Sequence, residues 1–450
     1  MDMTTSTIPS LFSPLSTPRS KMAASPELSL SGAHSREDRI PQELCDLVID
    51  YVAEEAQKYF TTNESQPTDH SWLAFRALAA WSRTCYSCSR RSRPYLFRTL
   101  LFHTSIKVKK FFDLIKTSPD IKEYALAIHV QDSPRYPDDP RTWIHTVLVK
   151  SPSLLPNVRS ISIQYLLRTM HPSLPIHCVG FQNVNSLNFV FNKFSSFGDF
   201  RRVISAFRTL RSLHIQISTG WPIPKVPNVN IPRNARTTAL RLENFSFALP
   251  RIGYEVEYPH IVEDFLKWLF LTDSATSLTS VIMPVFQHNL ELVHSFMQSF
   301  KELRHAHFSL APGGKYDPVL LEDHFNLSHL RYLQSIEISN ISWHQIPLFS
   351  NILSNVSSKT IKKVILSISR VVRKDVQDAE WEKIDGVFSN QPYTGVLEEV
   401  KVNILLWESF YYGPPPRPPS DYTFVETEVK RRLAYLNKKE LLHLSISRYR

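Results

Sequence analysis

The stretch that decides the fold reads Val158-Arg-Ser-Ile161-Ser-Ile163, and it returns as Val184-Asn-Ser-Leu187-Asn-Phe189 and as Leu210-Arg-Ser-Leu213-His-Ile215. In each copy a serine precedes the second apolar residue, and these second apolar residues, Ile161, Leu187 and Leu213, are 26 residues apart. The end of each copy alternates apolar and polar residues, which is typical of a short β-strand with one buried face. A strand pattern that returns at a constant interval indicates a chain built from stacked repeats.

The same apolar-x-x-apolar-x-apolar pattern recurs over most of the chain. Its second apolar position falls, in the further copies, at Leu100, Tyr124, Leu240, Val281, Ala306, Ile336, Val364, Val400 and Leu444. Helical periodicity lies between several copies, at 200–207, 261–271 and 292–300. Alternating strands and helices form the unit of a parallel solenoid, in which each unit buries its apolar face against its neighbours. The sequence therefore predicts an α/β fold with a parallel, leucine-rich-repeat-like solenoid over residues 103–450.

The composition suits such a fold and argues against several others. Hydrophobic residues make up 42% of the 450 residues, which is enough for a large core. The chain has 10 glycines and 31 prolines, which disfavours the glycine-rich phosphate loops of nucleotide-binding folds. Four cysteines are too few for a disulfide scaffold and fit a reducing compartment, so a cytoplasmic or nuclear location is expected. No apolar run approaches the roughly 18 residues needed to span a bilayer, so no membrane association is expected.

The chain carries a formal net charge of +10, which favours acidic partners in general. Its basic residues come in pairs, such as Lys109-Lys110 and Lys438-Lys439, and not in one block. This distribution argues against a dedicated nucleic-acid-binding protein.

Residues 1–37 are predicted to form a disordered tail, because residues 1–36 hold 17 Ser, Thr or Pro. The tail contains Ser-Pro or Thr-Pro pairs at 13–14, 17–18 and 25–26. These pairs are either acceptors of proline-directed phosphate or ordinary features of such a tail.

Residues 38–102 are predicted to form a small domain of three helices. The first opens at Pro41, whose missing N–H is not needed in the first turn of a helix. It carries an apolar stripe of residues at helical spacing: Leu44, Leu47, Val48, Tyr51 and Val52. The second helix is predicted to open at Ser71, and the third to run through Cys85 and Cys88 until Pro94 ends or kinks it. The apolar stripe either packs on the first repeat as an N-terminal cap or docks a partner.

No group of residues has the spacing of a catalytic site, so the chain is not expected to be an enzyme or to bind a cofactor or a metal. His305 and His307 share one face of a predicted strand, an arrangement shared by metal pairs and by ordinary exposed histidines. Cys85 and Cys88 lack the second pair of a tetrahedral zinc site and are interpreted as core cysteines. The run 414–419, Pro-Pro-Pro-Arg-Pro-Pro, is either a ligand for an SH3-like groove or a stiff loop between the last two repeats.

Two stretches of the three-helix domain resemble the F-box. They are Ile40-Pro41-x-Glu43-Leu44-x-x-x-Val48-Ile49 and Leu78-Ala79-x-Trp81-Ser82-Arg83-Thr84-Cys85, with a continuation through Arg93-Pro94-Tyr95-Leu96-Phe97. The resemblance is to the divergent F-box-like proteins that mushroom-forming fungi carry in large numbers, although the stretch from Tyr51 to Trp72 is longer here. It implies an adaptor-binding surface formed by Ile40, Pro41, Leu44, Val48, Leu78, Trp81 and Cys85.

In that family the F-box binds the Skp-type adaptor of a cullin-RING, SCF-type, ubiquitin ligase, and the repeat region holds a protein substrate. The resemblance therefore implies a substrate-recognition subunit whose partners are a Skp-type adaptor, a cullin scaffold and an unidentified protein substrate. The alternative is a leucine-rich-repeat scaffold that binds a protein partner without any ligase.

Overall fold

A computed structural model describes most of the chain between residues 40 and 448. The described residues are 40–61, 69–132, 142–165, 173–192, 194, 196–217, 240–248, 259–311, 316–371, 373–390, 392–406 and 419–448. The predicted N-terminal tail and the proline run up to residue 418 lie outside the described residues.

Twelve β-strands of the described chain form one parallel sheet, and their order in the sheet is their order in the sequence. The strands are β1 Thr99–Phe102, β2 Ala127–Gln131, β3 Ser160–Gln164, β4 Ser186–Val190, β5 Ser212–Gln216, β6 Asn244–Ala248, β7 Ser280–Val285, β8 His305–Leu310, β9 Ser335–Ile341, β10 Lys363–Val371, β11 Glu399–Leu406 and β12 Leu442–Arg448. The sheet is continuous across the long intervals between repeats. The predicted α/β fold with a parallel, solenoid-like arrangement is confirmed.

Helices precede the sheet and connect its strands. Their bounds are α1 Gln42–Thr61, α2 Asp69–Trp81, α3 Tyr86–Arg98, α4 Ser105–Thr117, α5 Ile121–Tyr124, α6 Thr142–Leu154, α7 Leu174–Cys178, α8 Phe197–Ala206, α9 Pro259–Phe270, α10 Ser274–Ser277, α11 Leu290–Gln298, α12 Pro318–His324, α13 Ile346–Ser354, α14 Arg373–Asp378, α15 Trp381–Phe388, α16 Pro419–Arg432 and α17 Ala434–Lys438. Short 3₁₀ turns lie at Gln287–Asn289 and Trp343–Gln345. Among the described helices, none is both long and apolar enough to cross a bilayer.

The predicted repeat positions lie in one row across the sheet, with three exceptions. The row reads Leu100, Ile128, Ile161, Leu187, Leu213, Phe245, Val281, Ala306, Ile336, Val364, Val400 and Leu442. The prediction is wrong at Tyr124, which ends α5, and at Leu240, which precedes β6. Leu444 is in β12 but pairs with Val402, so it lies two residues further along the strand than the row. In each case two apolar residues lie at a suitable distance from the preceding repeat for the position in the row. Pairing with the neighbouring strand selects one of them.

One hydrophobic core runs along the whole sheet, between the strands and the helices that connect them. Alternate strand residues enter it, as the buried Ile161 and Ile163 of β3 do, while the residues between them face away from the helices. Its middle is filled by aromatic rings: Phe200 of α8 lies 4.7 Å from Phe265 of α9 and 5.1 Å from Phe194, measured between ring centroids. Helices α8, α9 and α11 confirm the three predicted helical segments, with ends shifted by a few residues.

Helices α1, α2 and α3 pack around a second, small core. Its buried members are Ile49, Ala53, Ala56 and Leu78. Helix α1 begins directly after Pro41 as predicted, but α2 begins at Asp69 and not at Ser71.

Helix α3 continues through Pro94 to Arg98, so of the two predicted alternatives, an end or a kink at Pro94, the first is wrong. A proline inside a helix costs about 3 kcal/mol. Packing offsets this cost, because Tyr95 and Leu96 contact the small core and Phe97 contacts the core of the solenoid.

Helix α3 is also the element that joins the three-helix domain to the solenoid. Arg93 lies 3.6 Å from the carboxylate of Asp120, and the carbonyl of Arg98 accepts a hydrogen bond of 2.9 Å from the N–H of Leu126. Residues Thr99–Phe102, which follow α3 directly, form the first strand of the sheet. The described contacts with the first repeat are thus made by α3, and the alternative in which the α1 stripe caps the solenoid is wrong.

Candidate partner-binding surfaces

Helix α1 carries large apolar side chains that no described part of the chain covers. Leu44 is 51% exposed, Leu47 64%, Val48 47% and Tyr51 66%. Their spacing of three, four and seven residues places them on one side of the helix, which we call the α1 outer face. Single exposed apolar residues are ordinary on protein surfaces, but a stripe of four marks a contact surface.

The opposite side of α1 is apolar as well. Ile49, Ala53 and Ala56 are buried against α2 and α3, and Val52 packs against the same core. An apolar stripe that only anchored α1 in its own domain would lie on this buried side. The α1 outer face is therefore not needed to fold the three-helix domain, and it is available to a partner.

The structure brings together only some of the residues that the F-box resemblance assigns to the adaptor. Ile40, Pro41, Leu44 and Val48 are exposed at the start of α1. Leu78 is buried in the small core and Trp81 is half-buried against it, so both support the surface from within. The F-box resemblance left Leu47 and Tyr51 out of the site, although the apolar stripe predicted from helical spacing included both.

A polar network fixes α1 against α3. The carboxylate of Asp50 accepts hydrogen bonds from Nε of Arg91 at 2.9 Å and from the hydroxyl of Tyr95 at 2.9 Å, and it forms an ion pair with Nη2 of Arg91. The hydrogen bond from Arg91 lowers the pKa of Asp50 below its ordinary value. The pair is exposed to solvent, so it orients α1 against α3 more than it stabilises the domain.

Cys85 lies outside the core and caps α3. Its Sγ accepts a hydrogen bond of 3.4 Å from the backbone N–H of Cys88, and its side chain is exposed. That backbone hydrogen bond is the main cause that lowers the pKa of the Cys85 thiol. The interpretation of the pair as core cysteines is wrong for Cys85, because a residue at the N-cap must leave the packed face to reach the backbone N–H groups.

The second candidate surface is the face of the sheet that points away from the helices. On β1–β8 we call its exposed and half-exposed residues the outer sheet face. They are Thr99, Leu101, Ala127, His129, Gln131, Ser160, Ser162, Gln164, Ser186, Asn188, Ser212, His214, Gln216, Asn244, Ser246, Ala248, Ser280, Ile282, His305, His307 and Ser309. None of them is Asp, Glu, Lys or Arg, although charged residues make up 21% of the chain.

Short polar side chains of the outer sheet face bind one another from strand to strand. Nδ2 of Asn188 donates to Oγ of Ser162 at 3.3 Å, and Nδ1 of His214 lies 2.7 Å from Oγ of Ser246. Charged residues enter the same face from β9 onward: a carboxylate oxygen of Glu337 lies 3.7 Å from Nε2 of His307, and further along Lys363 of β10 forms an ion pair with Glu399 of β11. Over β1–β8 charges such as Arg211 and Glu243 lie just before the strands, at the edge of the face, and pair there at 2.7 Å.

An aromatic pair stands at the edge where β3 and β4 end. The ring centroids of Tyr165 and Phe191 are 5.2 Å apart, and both side chains are half-exposed. Their φ angles are +57° and +54°, in the left-handed region that bulky residues rarely adopt. Such a conformation costs on the order of 1–3 kcal/mol, and residues that keep it are found most often at binding and active sites.

Burial holds several histidines of this region in the neutral form. It lowers the pKa values of His129, His214 and His307, and it lowers that of His103, beside the face, to about 4. The positive charge of Lys107 lowers the pKa of His103 further. His129, His214 and His307 therefore add no positive charge to the outer sheet face at neutral pH.

These histidines predict a loss of stability in acid. A histidine in the unfolded chain titrates near pH 6.5. Below that pH it binds a proton in the unfolded chain but stays neutral in the folded chain, where its pKa is lower. The contribution of His103 to the free energy of unfolding is fully present above about pH 6.5 and is lost as the pH falls through about 4. The free energy of unfolding changes by an amount on the order of 3 kcal/mol over this range. In urea denaturation from pH 7 to pH 4.5, His103→Gln should show a smaller loss than the unsubstituted protein. Parallel curves would contradict the prediction.

The predicted metal alternative at His305 and His307 finds no support in the geometry. Nδ1 of His305 lies 2.9 Å from Oγ of Ser335, and Nε2 of His307 lies 3.0 Å from Oγ of Ser339. Within the described ranges, no group of three or more His, Cys, Asp or Glu side chains could hold a metal ion.

Comparison with known proteins yields distant likenesses among solved structures. No protein-family model matches the sequence, and no curated protein does. The crystal structure of the Rad7 and Elc1 complex in yeast is similar over 83% of this chain and 92% of that chain, with 10% sequence identity and a TM-score of 0.40. At that TM-score the likeness carries no argument about this chain.

Proposed function

We propose that the chain is the substrate-recognition subunit of a cullin-RING ubiquitin ligase. In this proposal the three-helix domain binds a Skp-type adaptor, the adaptor links it to the cullin, and the repeats hold a protein substrate. The chemistry of ubiquitin transfer belongs to the partner enzymes, and this chain acts by binding alone. The single observation that carries the proposal is the uncovered α1 outer face within the stretch that resembles the F-box.

The α1 outer face is large enough to account for a specific contact. Complete burial of a Leu, Val or comparable side chain contributes about 1.5–3 kcal/mol. The four side chains are each about half exposed, so covering them would contribute roughly 3–6 kcal/mol, which is about a hundred- to ten-thousandfold in affinity. A domain this small buries little apolar surface by itself, so it gains stability from such a partner.

The way the domain is attached supports the same function. Helix α3 holds it to the first repeat through Arg93 and Phe97, whereas the α1 outer face is exposed. A partner on α1 would therefore leave the sheet free for a substrate. Two separate surfaces on one rigid support are what a subunit that brings two proteins together requires.

The experiment is co-expression of the full chain with the Skp-type adaptor of its own organism, followed by gel filtration. We expect a complex of one chain with one adaptor, which then binds the cullin. A chain that is folded by circular dichroism and elutes without the adaptor would refute the ligase role. It would leave a repeat scaffold that binds its partner directly.

A further inference from the structure

We infer that the outer sheet face binds an extended, uncharged polar segment of a protein substrate, with Tyr165 and Phe191 as its anchor. This inference rests on the proposed function, in which the repeats hold a protein substrate. It adds the chemical class of the segment that is recognised.

The argument begins with the charge of the face. Charged residues are the ones most often found at protein surfaces, and this protein is strongly basic. Asn244 and His305 of the outer sheet face are exposed, and its other residues are half-buried. The absence of Asp, Glu, Lys and Arg from all of these positions over eight neighbouring strands distinguishes this surface from the rest of the protein surface. A partner's Asp or Lys placed on it would lose water and find no opposite charge in return.

The polar groups of the face suit an uncharged partner instead. Serine hydroxyls donate and accept hydrogen bonds, and so do the amide of Asn188 and the neutral imidazole of His214. Ser186 and Ser212 have no charged neighbour on the paired strands, since they pair with each other, with Ser160 and with Asn244. The backbone and the Ser, Thr, Asn and Gln side chains of an extended peptide can bond to such groups without a change in charge.

The size of the face sets the length of the segment. Neighbouring strands lie about 4.8 Å apart, so a path across β1–β8 is roughly 34 Å long. An extended chain advances about 3.3 Å per residue, and the path is covered by about ten residues.

Tyr165 and Phe191 provide the part of the surface that binds an apolar group. Aromatic rings contribute much of the affinity in protein contacts because they bury a large area with little loss of side-chain freedom. Their backbone N–H groups already donate to Val190 at 2.8 Å and to Gln216 at 2.7 Å, which holds both residues at the ends of their strands. The rings are thus positioned before any ligand arrives.

The positive φ angles offer a variant that removes the rings and keeps the backbone. Glycine adopts this conformation without strain, so Tyr165→Gly/Phe191→Gly should leave the fold intact. A charge variant, Ser212→Asp, places a carboxylate in the middle of the face. Its matched control is Ser295→Asp on the exposed side of α11.

The test is selection of phage-displayed random peptides of twelve residues on the immobilised full chain, followed by binding of synthetic copies. We expect the selected peptides to be depleted in Asp, Glu, Lys and Arg relative to the library, and their affinity to change less than about threefold between low and moderate salt. The glycine double variant should lose about thirtyfold or more in affinity, a loss typical of aromatic anchor residues. Ser212→Asp should weaken binding and Ser295→Asp should not.

Three results would overturn the inference: enrichment of charged peptides, no enrichment of any peptide, or equal affinity for the charge variant and its control. Adaptor binding is measured on the same preparation. A chain that selects uncharged peptides but binds no adaptor would refute the ligase role and keep this inference. A chain that binds the adaptor but selects no uncharged peptides would refute this inference and keep the ligase role.

Discussion

The double variant Leu44→Asp/Val48→Asp is expected to abolish binding of the Skp-type adaptor and to leave the protein folded. Both side chains belong to the α1 outer face and are about half exposed, so the substitutions disturb no core. A carboxylate buried against an apolar partner costs several kcal/mol, in addition to the apolar contact that is lost. We expect a loss of affinity of more than a hundredfold, measured by titration calorimetry.

The matched control is Val319→Asp/Leu320→Asp on α12. These residues are 65% and 41% exposed and lie, like Leu44, within the first turns of a helix, where aspartate is tolerated. The control should bind the adaptor as the unsubstituted protein does. If both double variants bind equally well, the α1 outer face is not the adaptor site.

Leu78→Ala tests whether Leu78 contacts the adaptor directly or supports the adaptor surface from inside the three-helix domain. Leu78 is assigned to the adaptor surface by the F-box resemblance, yet it is buried in the small core. Its truncation removes a core contact, so adaptor binding should fall together with the stability of the three-helix domain and not independently of it.

The second large effect is expected in the solenoid, where Phe200→Ala should destabilise the protein by about 3–5 kcal/mol. Phe200 is almost completely buried, and its ring contacts those of Phe194, Phe265 and Trp268. These rings come from different repeats, so the truncation weakens the contact between neighbouring units as well as one unit itself. In a solenoid, that contact is what couples the repeats.

Urea denaturation followed by tryptophan fluorescence measures this effect. The control is Phe270→Ala at the end of α9, whose side chain is about half exposed and whose truncation should cost under about 1 kcal/mol. If Phe200→Ala unfolds at the same urea concentration as Phe270→Ala, the aromatic rings do not hold the repeats together in this way. Limited proteolysis should cut the Phe200 variant first between α8 and α9.

The sequence predicted which residues of the candidate site are apolar, but it did not predict which of them are exposed. The apolar stripe of α1 is visible as a spacing of three and four residues. The same helix carries a second apolar side through Ile49, Ala53 and Ala56, and only the positions of α2 and α3 decide which side is covered. Sequence resemblance placed Leu78 and Leu44 on one surface, whereas packing separates them.

By itself the sequence determined that this protein is a parallel stack of strand-and-helix units, because alternation and interval depend only on local spacing along the chain. Ile161, Leu187 and Leu213 form one row for that reason. The tertiary structure alone decided which of two competing apolar residues enters the row, as Phe245 does in place of Leu240, since strand register is fixed by the neighbouring strand. It alone placed Tyr165 and Phe191 in left-handed backbone, which no local preference of an aromatic residue predicts and only the surrounding hydrogen bonds impose.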